Sequence, residues 1–234
     1  MEKNKAIELE KYTHELLQKF NEKHRTNFSH SFSFNSNASC LSDLEKKTGL
    51  IRIALPVDSL DGDDMIELEA LKVLVGHELA HHVYANMSMT GLQVLAMCVN
   101  RAAGDCRDLF MSCSREIAAD IHGRNFYTSM GGTMTPEIYE AYYRLILGDQ
   151  TETRQNIADG LKSGYLPASF RLKLMKHHSN FKANNYSIID DIAKDLDYLT
   201  RKYLNKDYDI EKYLDWIQLQ MEMINFPARP NRSR

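Results

Sequence analysis

Polar and apolar side chains are arranged in different ways along the first quarter of the chain. Residues 1–24 mix apolar and charged side chains with the spacing of an amphipathic helix. Residues 31–36 alternate polar and apolar side chains, which predicts a half-buried strand, and residues 50–55 predict a second strand that Pro56 ends. The stretch between them, 35–43, is rich in Ser and Asn and predicts a turn or a short loop.

Beyond the second strand the chain has mainly helical spacing, which Gly131-Gly132 and Gly160 interrupt. The predicted helices cover residues 65–87, 90–103, 112–127, 136–147, 167–177, 187–203 and 207–223. No internal repeat and no Gly/Ser-rich linker is visible. We therefore expect a single, mainly α domain (α+β) over residues 1–226, with a small N-terminal strand element and a helical C-terminal half. A flexible basic tail is expected at 227–234.

The predicted helix at 65–87 has an unusual distribution of polar side chains. Over residues 70–84 it is apolar nearly all round, which is typical of a helix in the middle of a domain. His77, Glu78 and His81 nevertheless lie within this stretch. Because burying an unpartnered polar group is costly, these three side chains are expected to have partners.

The composition is that of an ordinary globular protein: of 234 residues, 43% are hydrophobic and 26% are charged. The 29 basic and 32 acidic residues give a net charge of -3, so we expect neither nucleic-acid binding nor a polybasic membrane contact. No apolar run approaches the roughly 18 residues of a membrane span, and no signal peptide is visible. The four cysteines include no CxxC pair, which argues against a zinc ribbon and favours reduced thiols. These features predict a cytoplasmic protein, although secretion without a signal peptide stays open.

Residues 77–81 read His-Glu-Leu-Ala-His, an H-E-x-x-H motif. On a helix, His77 and His81 lie on one face, at a spacing that lets both rings bind one zinc ion. Glu78 can then act as a general base toward the attacking water. His82 points about 100° away from His81, so we expect it to pack or to support a neighbour. The alternative is that the histidines are core residues bonded to the backbone.

A catalytic zinc site needs a third protein ligand, and an acidic pair downstream offers one. Glu116 and Asp120 lie at i and i+4 on one face of the predicted helix at 112–127. We interpret Glu116 as the ligand and Asp120 as the acceptor for the N–H of a ligand histidine, which fixes the ring tautomer. Small apolar residues between the two acids indicate close helix packing. The alternative is that Glu116 and Asp120 are a solvated acidic pair. If Glu116 is the third ligand, the chain binds one Zn2+.

These two motifs resemble those of the gluzincin zinc metallopeptidases. H-E-L-A-H at 77–81, followed by S-R-E-I-A-A-D at 114–120, is similar to the motifs of peptidase family M48 and of the phage-exclusion Lit-type peptidases. The resemblance covers about residues 71–130, with a weaker continuation to Met175. It implies a zincin-like metallopeptidase fold and a soluble protease, and the similarity to the Lit-type peptidases implies a role in bacterial defence or as a toxin or effector.

Members of family M48 carry a later motif with an arginine that helps to line the active site. The resemblance implies that Arg171, at the end of the stretch 164–171, is this arginine. The family's histidine is absent from this stretch, and Tyr165 lies six residues before Arg171. Its phenol could donate a hydrogen bond to the oxyanion of the reaction. The alternatives are a core tyrosine and a surface ion-pair arginine.

The sequence thus predicts a zinc-dependent endopeptidase that hydrolyses a protein or peptide substrate. In this fold type a strand beside the active helix holds the substrate extended, and residues 50–55 are the candidate, by strand addition. One alternative is a non-catalytic regulatory or binding protein with structural zinc, whose fourth position Cys113 or another histidine could close. Another is a hydrolase with a different substrate class, since the motif fixes the metal chemistry better than the substrate.

Overall fold

The structure is a computed structural model that describes residues 2–35, 41–56, 65–83, 104–148, 151–179 and 186–206. Over these residues the chain is mainly helical with one small sheet, which confirms the predicted mainly α (α+β) class. The strands are β1 (Ser29–Asn35), β2 (Leu41–Glu45) and β3 (Leu50–Pro56). The helices are α1 (Glu2–His24), α2 (Met65–Val83), α3 (Gly104–Ser129), α4 (Pro136–Leu147), α5 (Arg154–Lys162), α6 (Ala168–His177) and α7 (Tyr186–Leu199), and a π-helical turn, Thr200–Leu204, follows α7.

Two helices depart from the predicted pattern. Helix α3 begins at Gly104, well before its predicted start, and α5 is not among the predicted helices. Gly160, interpreted as a break, lies inside α5, whose first turn is capped by the Thr153 hydroxyl accepting from the Asn156 N–H. The predicted helices at 90–103 and 207–223 and the predicted tail at 227–234 lie outside the described residues.

The sheet has the strand order β1-β3-β2, with β3 parallel to β1 and antiparallel to β2. The prediction of a loop over 35–43 is therefore wrong at its end, since a strand begins at Leu41. The two apolar residues of β2, Leu41 and Leu44, do not alternate with polar ones, so the sequence pattern does not indicate a strand there. The choice of residues 50–55 as the docking strand is also wrong, because β3 is central and both of its edges are already paired.

Two hydrophobic clusters meet at α3. The first joins α1, β3, α2 and α4, and α3 contributes Ala119 and Phe126 to it. The second joins α5, α6 and α7, and α3 contributes Ile117 and Ile121 to it. Because residues from opposite faces of α3 enter different clusters, this helix is held on both sides. No helix among the described residues is long and apolar enough to span a membrane.

Helices α2 and α3 cross at two glycines. A Cβ atom at Gly123 would lie 2.6 Å from the main-chain nitrogen of His77 and 2.8 Å from the Val73 carbonyl oxygen. A Cβ atom at Gly76 would lie 3.0 Å from the Gly123 carbonyl oxygen. Only glycine at these positions lets the two backbones approach so closely. The crossing lies next to His77, so it determines how near the side chains of α3 come to those of α2.

Arg124 connects α3 to the end of α6. Its buried guanidinium donates to the main-chain carbonyls of Met175, His178 and Ser179 at the helix terminus. We expect Arg124→Met to lower the free energy of unfolding by about 2 kcal/mol, because these carbonyls lose their donor. Urea unfolding followed by circular dichroism measures the change, with the exposed Arg154→Met as control. Equal free energies of unfolding for the two variants would contradict the stabilising role of Arg124.

Candidate metal centre

The two histidines of the H-E-x-x-H motif lie on one face of α2. Their Nε2 atoms are 3.0 Å apart, and the ring planes are nearly perpendicular, at 87°. His77 is buried and His81 is half-buried. Two nitrogen lone pairs at this distance repel each other unless a proton or a metal ion lies between them. The ring pair is therefore a position where positive charge is stabilised.

The side chain of Glu116, on α3, faces both rings. Its Oε2 atom lies 3.7 Å from His77 Nε2, and its Oε1 atom lies 3.5 Å from His81 Nε2. Two ligand atoms that each lie about 2.1 Å from one ion at the tetrahedral angle are about 3.4 Å apart. The observed spacings are close to that value. His77, His81 and Glu116 thus form a group that could hold one metal ion, and no other such group of three occurs within the described part of the chain.

Asp120 lies one turn after Glu116 and contacts the far side of the His77 ring. Its Oδ1 atom is 2.8 Å from His77 Nδ1 and accepts a hydrogen bond of 2.6 Å from the Tyr142 hydroxyl. A carboxylate is an acceptor, so the proton of the ring lies on Nδ1. In a neutral ring this leaves the lone pair on Nε2, the atom that faces His81 and Glu116.

Arg171, on α6, is buried and neutralises Asp120. Its Nε and one terminal nitrogen donate to the two Asp120 oxygens at 2.8 Å and 2.7 Å, and the terminal nitrogen lies 3.5 Å from Glu116 Oε2. The predicted surface alternative for Arg171 is wrong, since the side chain is 9% exposed and holds a bidentate ion pair. Arg171 therefore acts on the metal-binding group through Asp120 and Glu116.

These contacts shift the protonation of the buried groups in opposite directions. Burial favours the neutral carboxyl of Asp120, but the charge and hydrogen bonds of Arg171 and the hydrogen bond of His77 hold its pKa well below the usual range. Burial favours a neutral His77, but its hydrogen bond to Asp120 and the charge of Asp120 raise its pKa overall. Burial, and then the charge of His77, lowers the pKa of His81 to about 2. A metal ion between the rings would compete with a proton for the Nε2 atom of His77.

Comparison with known proteins identifies no relative of this chain. No family model, curated protein or solved structure matches the chain. The resemblance to gluzincin peptidases accordingly stays a prediction that depends on the two sequence motifs.

Glu78 is only 7% exposed and lies outside the metal-binding group. Its Oε2 atom accepts a hydrogen bond of 2.6 Å from the hydroxyl of Ser42 on β2. The same hydroxyl lies 2.9 Å from His82 Nε2, so His82 supports a neighbour. Burial lowers the pKa of His82, which favours the neutral ring.

Tyr165 lies in the loop between α5 and α6 and is 49% exposed, so the core alternative for this residue is wrong. Tyr165 and Arg171 line a cavity of about 550 Å³, and the charge of Glu116, followed by burial, raises the pKa of the phenol. Cys113, the proposed closing ligand of the structural-zinc alternative, is buried and lies outside the metal-binding group. Its Sγ atom donates to the carbonyl of Gly164 at 3.3 Å.

Two polar residues of this region were not among the sequence candidates. Ser42 lies in a strand that the sequence pattern does not indicate, and Tyr142 lies on α4 among apolar neighbours. The only sequence signal for Tyr142 is its place on the apolar face of an amphipathic helix, where a phenol needs a partner. Nothing comparable distinguishes Ser42 from the other serines near it.

Proposed function

We propose that this protein is a zinc-dependent endopeptidase. The observation that carries the proposal is the convergence of three ligand atoms, from His77, His81 and Glu116, at spacings suited to one tetrahedral ion. Two imidazoles and one carboxylate are the protein ligands of a known class of catalytic zinc sites, in which the fourth position is left for water or substrate. The buried carboxylate of Glu78, next to His77 in the chain, supplies the remaining group that hydrolysis needs.

When bound, zinc supplies a Lewis acid that polarises the scissile carbonyl and lowers the pKa of water. Glu78 accepts a proton from the attacking water and delivers it to the leaving amine. Asp120 keeps the proton of His77 on Nδ1, and Arg171 keeps Asp120 ionised. Tyr165, whose phenol is accessible, donates a hydrogen bond to the carbonyl oxygen as negative charge develops there.

The proposed substrate is a protein or peptide segment in extended conformation. Strand β2 lies at the edge of the sheet and contacts α2, since Ser42 reaches Glu78. No strand within the described ranges pairs with the outer edge of β2. Its main-chain groups are therefore suited to pair with an added strand close to the general base.

Metal analysis of the purified protein tests the proposal at its base. We expect about one zinc ion per chain in the wild type and loss of bound zinc in His77→Ala and Glu116→Ala, because each variant removes one of three ligands. Plasma emission spectrometry after dialysis measures the content. The exposed residues His177 and Glu140 provide the controls His177→Ala and Glu140→Ala.

Both control variants are expected to keep their zinc. Zinc retained at the wild-type level by Glu116→Ala would exclude the three-ligand site. A stoichiometric zinc site with no cleavage in a digest of a broad peptide library would exclude peptide hydrolysis and leave metal binding intact.

A further inference from the structure

One hydroxyl group lies between two side chains of the H-E-x-x-H helix. Ser42 Oγ is 2.6 Å from Glu78 Oε2 and 2.9 Å from His82 Nε2. Glu78 and His82 are four residues apart on α2, whereas Ser42 belongs to β2. The three groups therefore form a short hydrogen-bonded chain that joins the helix to the sheet.

The donor and acceptor in each of these hydrogen bonds follow from the chemistry of the three side chains. An ionised carboxylate can only accept, so the Ser42 hydroxyl donates to Glu78. The carbonyl oxygen of Glu78 lies farther from Ser42 Oγ, at 3.5 Å, and does not compete for the proton. The hydroxyl oxygen then accepts from His82, which requires the proton of the neutral His82 ring to be on Nε2.

Ser42 is held more rigidly than a loop residue. It is paired with Ile53 across the β2–β3 ladder, and Ile53 is fully buried in the first hydrophobic cluster. A glutamate side chain has three rotatable bonds, so a partner fixed on another element restricts where its carboxylate lies. A hydrogen bond to an ionised group is also stronger than one between neutral groups.

We propose that Ser42 is a positioning residue: with His82 behind it, its hydroxyl holds the carboxylate of Glu78 in the orientation that proton transfer requires. This inference rests on the proposed peptidase function and assigns a role that neither motif indicates. Ser42 does not belong to the metal-binding group, so its loss is expected to affect the chemical step and not the metal.

Kinetics of Ser42→Ala and Ser42→Thr test this role. We expect Ser42→Ala to lower kcat about 10- to 100-fold with little change in KM and with wild-type zinc content, because a strong hydrogen bond to a charged group is lost. Ser42→Thr keeps the hydroxyl, fits a strand and is expected to recover most of the rate. Ser33→Ala, an exposed serine on β1, is the matched control. A wild-type kcat in Ser42→Ala would overturn the proposal.

A nitrogen-15 NMR measurement of His82 gives a readout that does not depend on activity. In the wild type we expect the proton on Nε2, and in Ser42→Ala we expect a changed resonance or a shift toward the other tautomer. The proton on Nδ1 in the wild type would overturn the hydrogen-bonded chain even if cleavage were normal. The expected His82 resonances together with no cleavage by the wild type would instead overturn the proposed function and leave the hydrogen-bonded chain standing.

Discussion

Replacing Glu78 by glutamine is expected to abolish peptide cleavage and to leave the zinc content unchanged. The amide has nearly the shape of the carboxylate and can still accept a hydrogen bond from Ser42, but it cannot accept a proton from water. The loss of general-base catalysis typically amounts to about 10²- to 10⁴-fold. Glu78 lies outside the metal-binding group, so its replacement removes no ligand.

The measurement is cleavage of a sensitive fluorogenic peptide by zinc-loaded protein, with zinc content determined on the same samples. Glu67→Gln is a suitable control because Glu67 lies on the same helix as Glu78 but forms its ion pair with Lys5 of α1, which is not a member of the metal-binding group. We expect this control to retain full activity. Cleavage by Glu78→Gln at the wild-type rate would exclude Glu78 as the general base.

Replacing Gly123 by alanine is expected to damage the fold and the metal site together. The added methyl group would lie 2.6 Å from the main-chain nitrogen of His77 and 2.8 Å from the Val73 carbonyl oxygen. These are backbone atoms of a helix, which cannot move aside as a side chain can. Alanine normally favours a helix by up to about 1 kcal/mol over glycine. The overlap outweighs this gain, and we expect a net loss of about 3 kcal/mol in the free energy of unfolding.

Metal affinity should fall with stability in this variant. Asp120 and Glu116 are on the same helix as Gly123, within two turns of it, so a displacement of α3 moves both carboxylates away from the rings of α2. Urea unfolding and a zinc titration with a competing chelator measure the two effects.

Gly160→Ala provides a matched control for this variant. A Cβ atom there has no neighbour closer than 3.7 Å, and Gly160 lies inside α5, so alanine is expected to be neutral or slightly stabilising. If Gly123→Ala behaved as Gly160→Ala does, the close crossing of α2 and α3 would be wrong.

Local patterns in the sequence predicted most of the helices and the identity of the candidate ligands. The predicted helix at 136–147 has the observed bounds, because Pro136 and the spacing of its apolar residues both act within the helix. The four-residue spacing of His77 and His81 likewise required only that this segment be helical. Patterns failed at β2, which is ordered by pairing with β3, and at the short helix α5, where Gly160 was interpreted as a break.

The sequence by itself determined that His77 and His81 share one face of a helix and that Glu116 and Asp120 share one face of another, since helical geometry places residues i and i+4 together wherever the helix lies. Only the tertiary structure decided that Glu116 comes within 3.7 Å of these rings, that Arg171 and Tyr142 both bind Asp120, and that Ser42 reaches Glu78. These contacts join residues 22 to 51 positions apart in the chain. They depend on how closely the helices and the sheet pack, and the periodicity of any one segment carries no information about that distance.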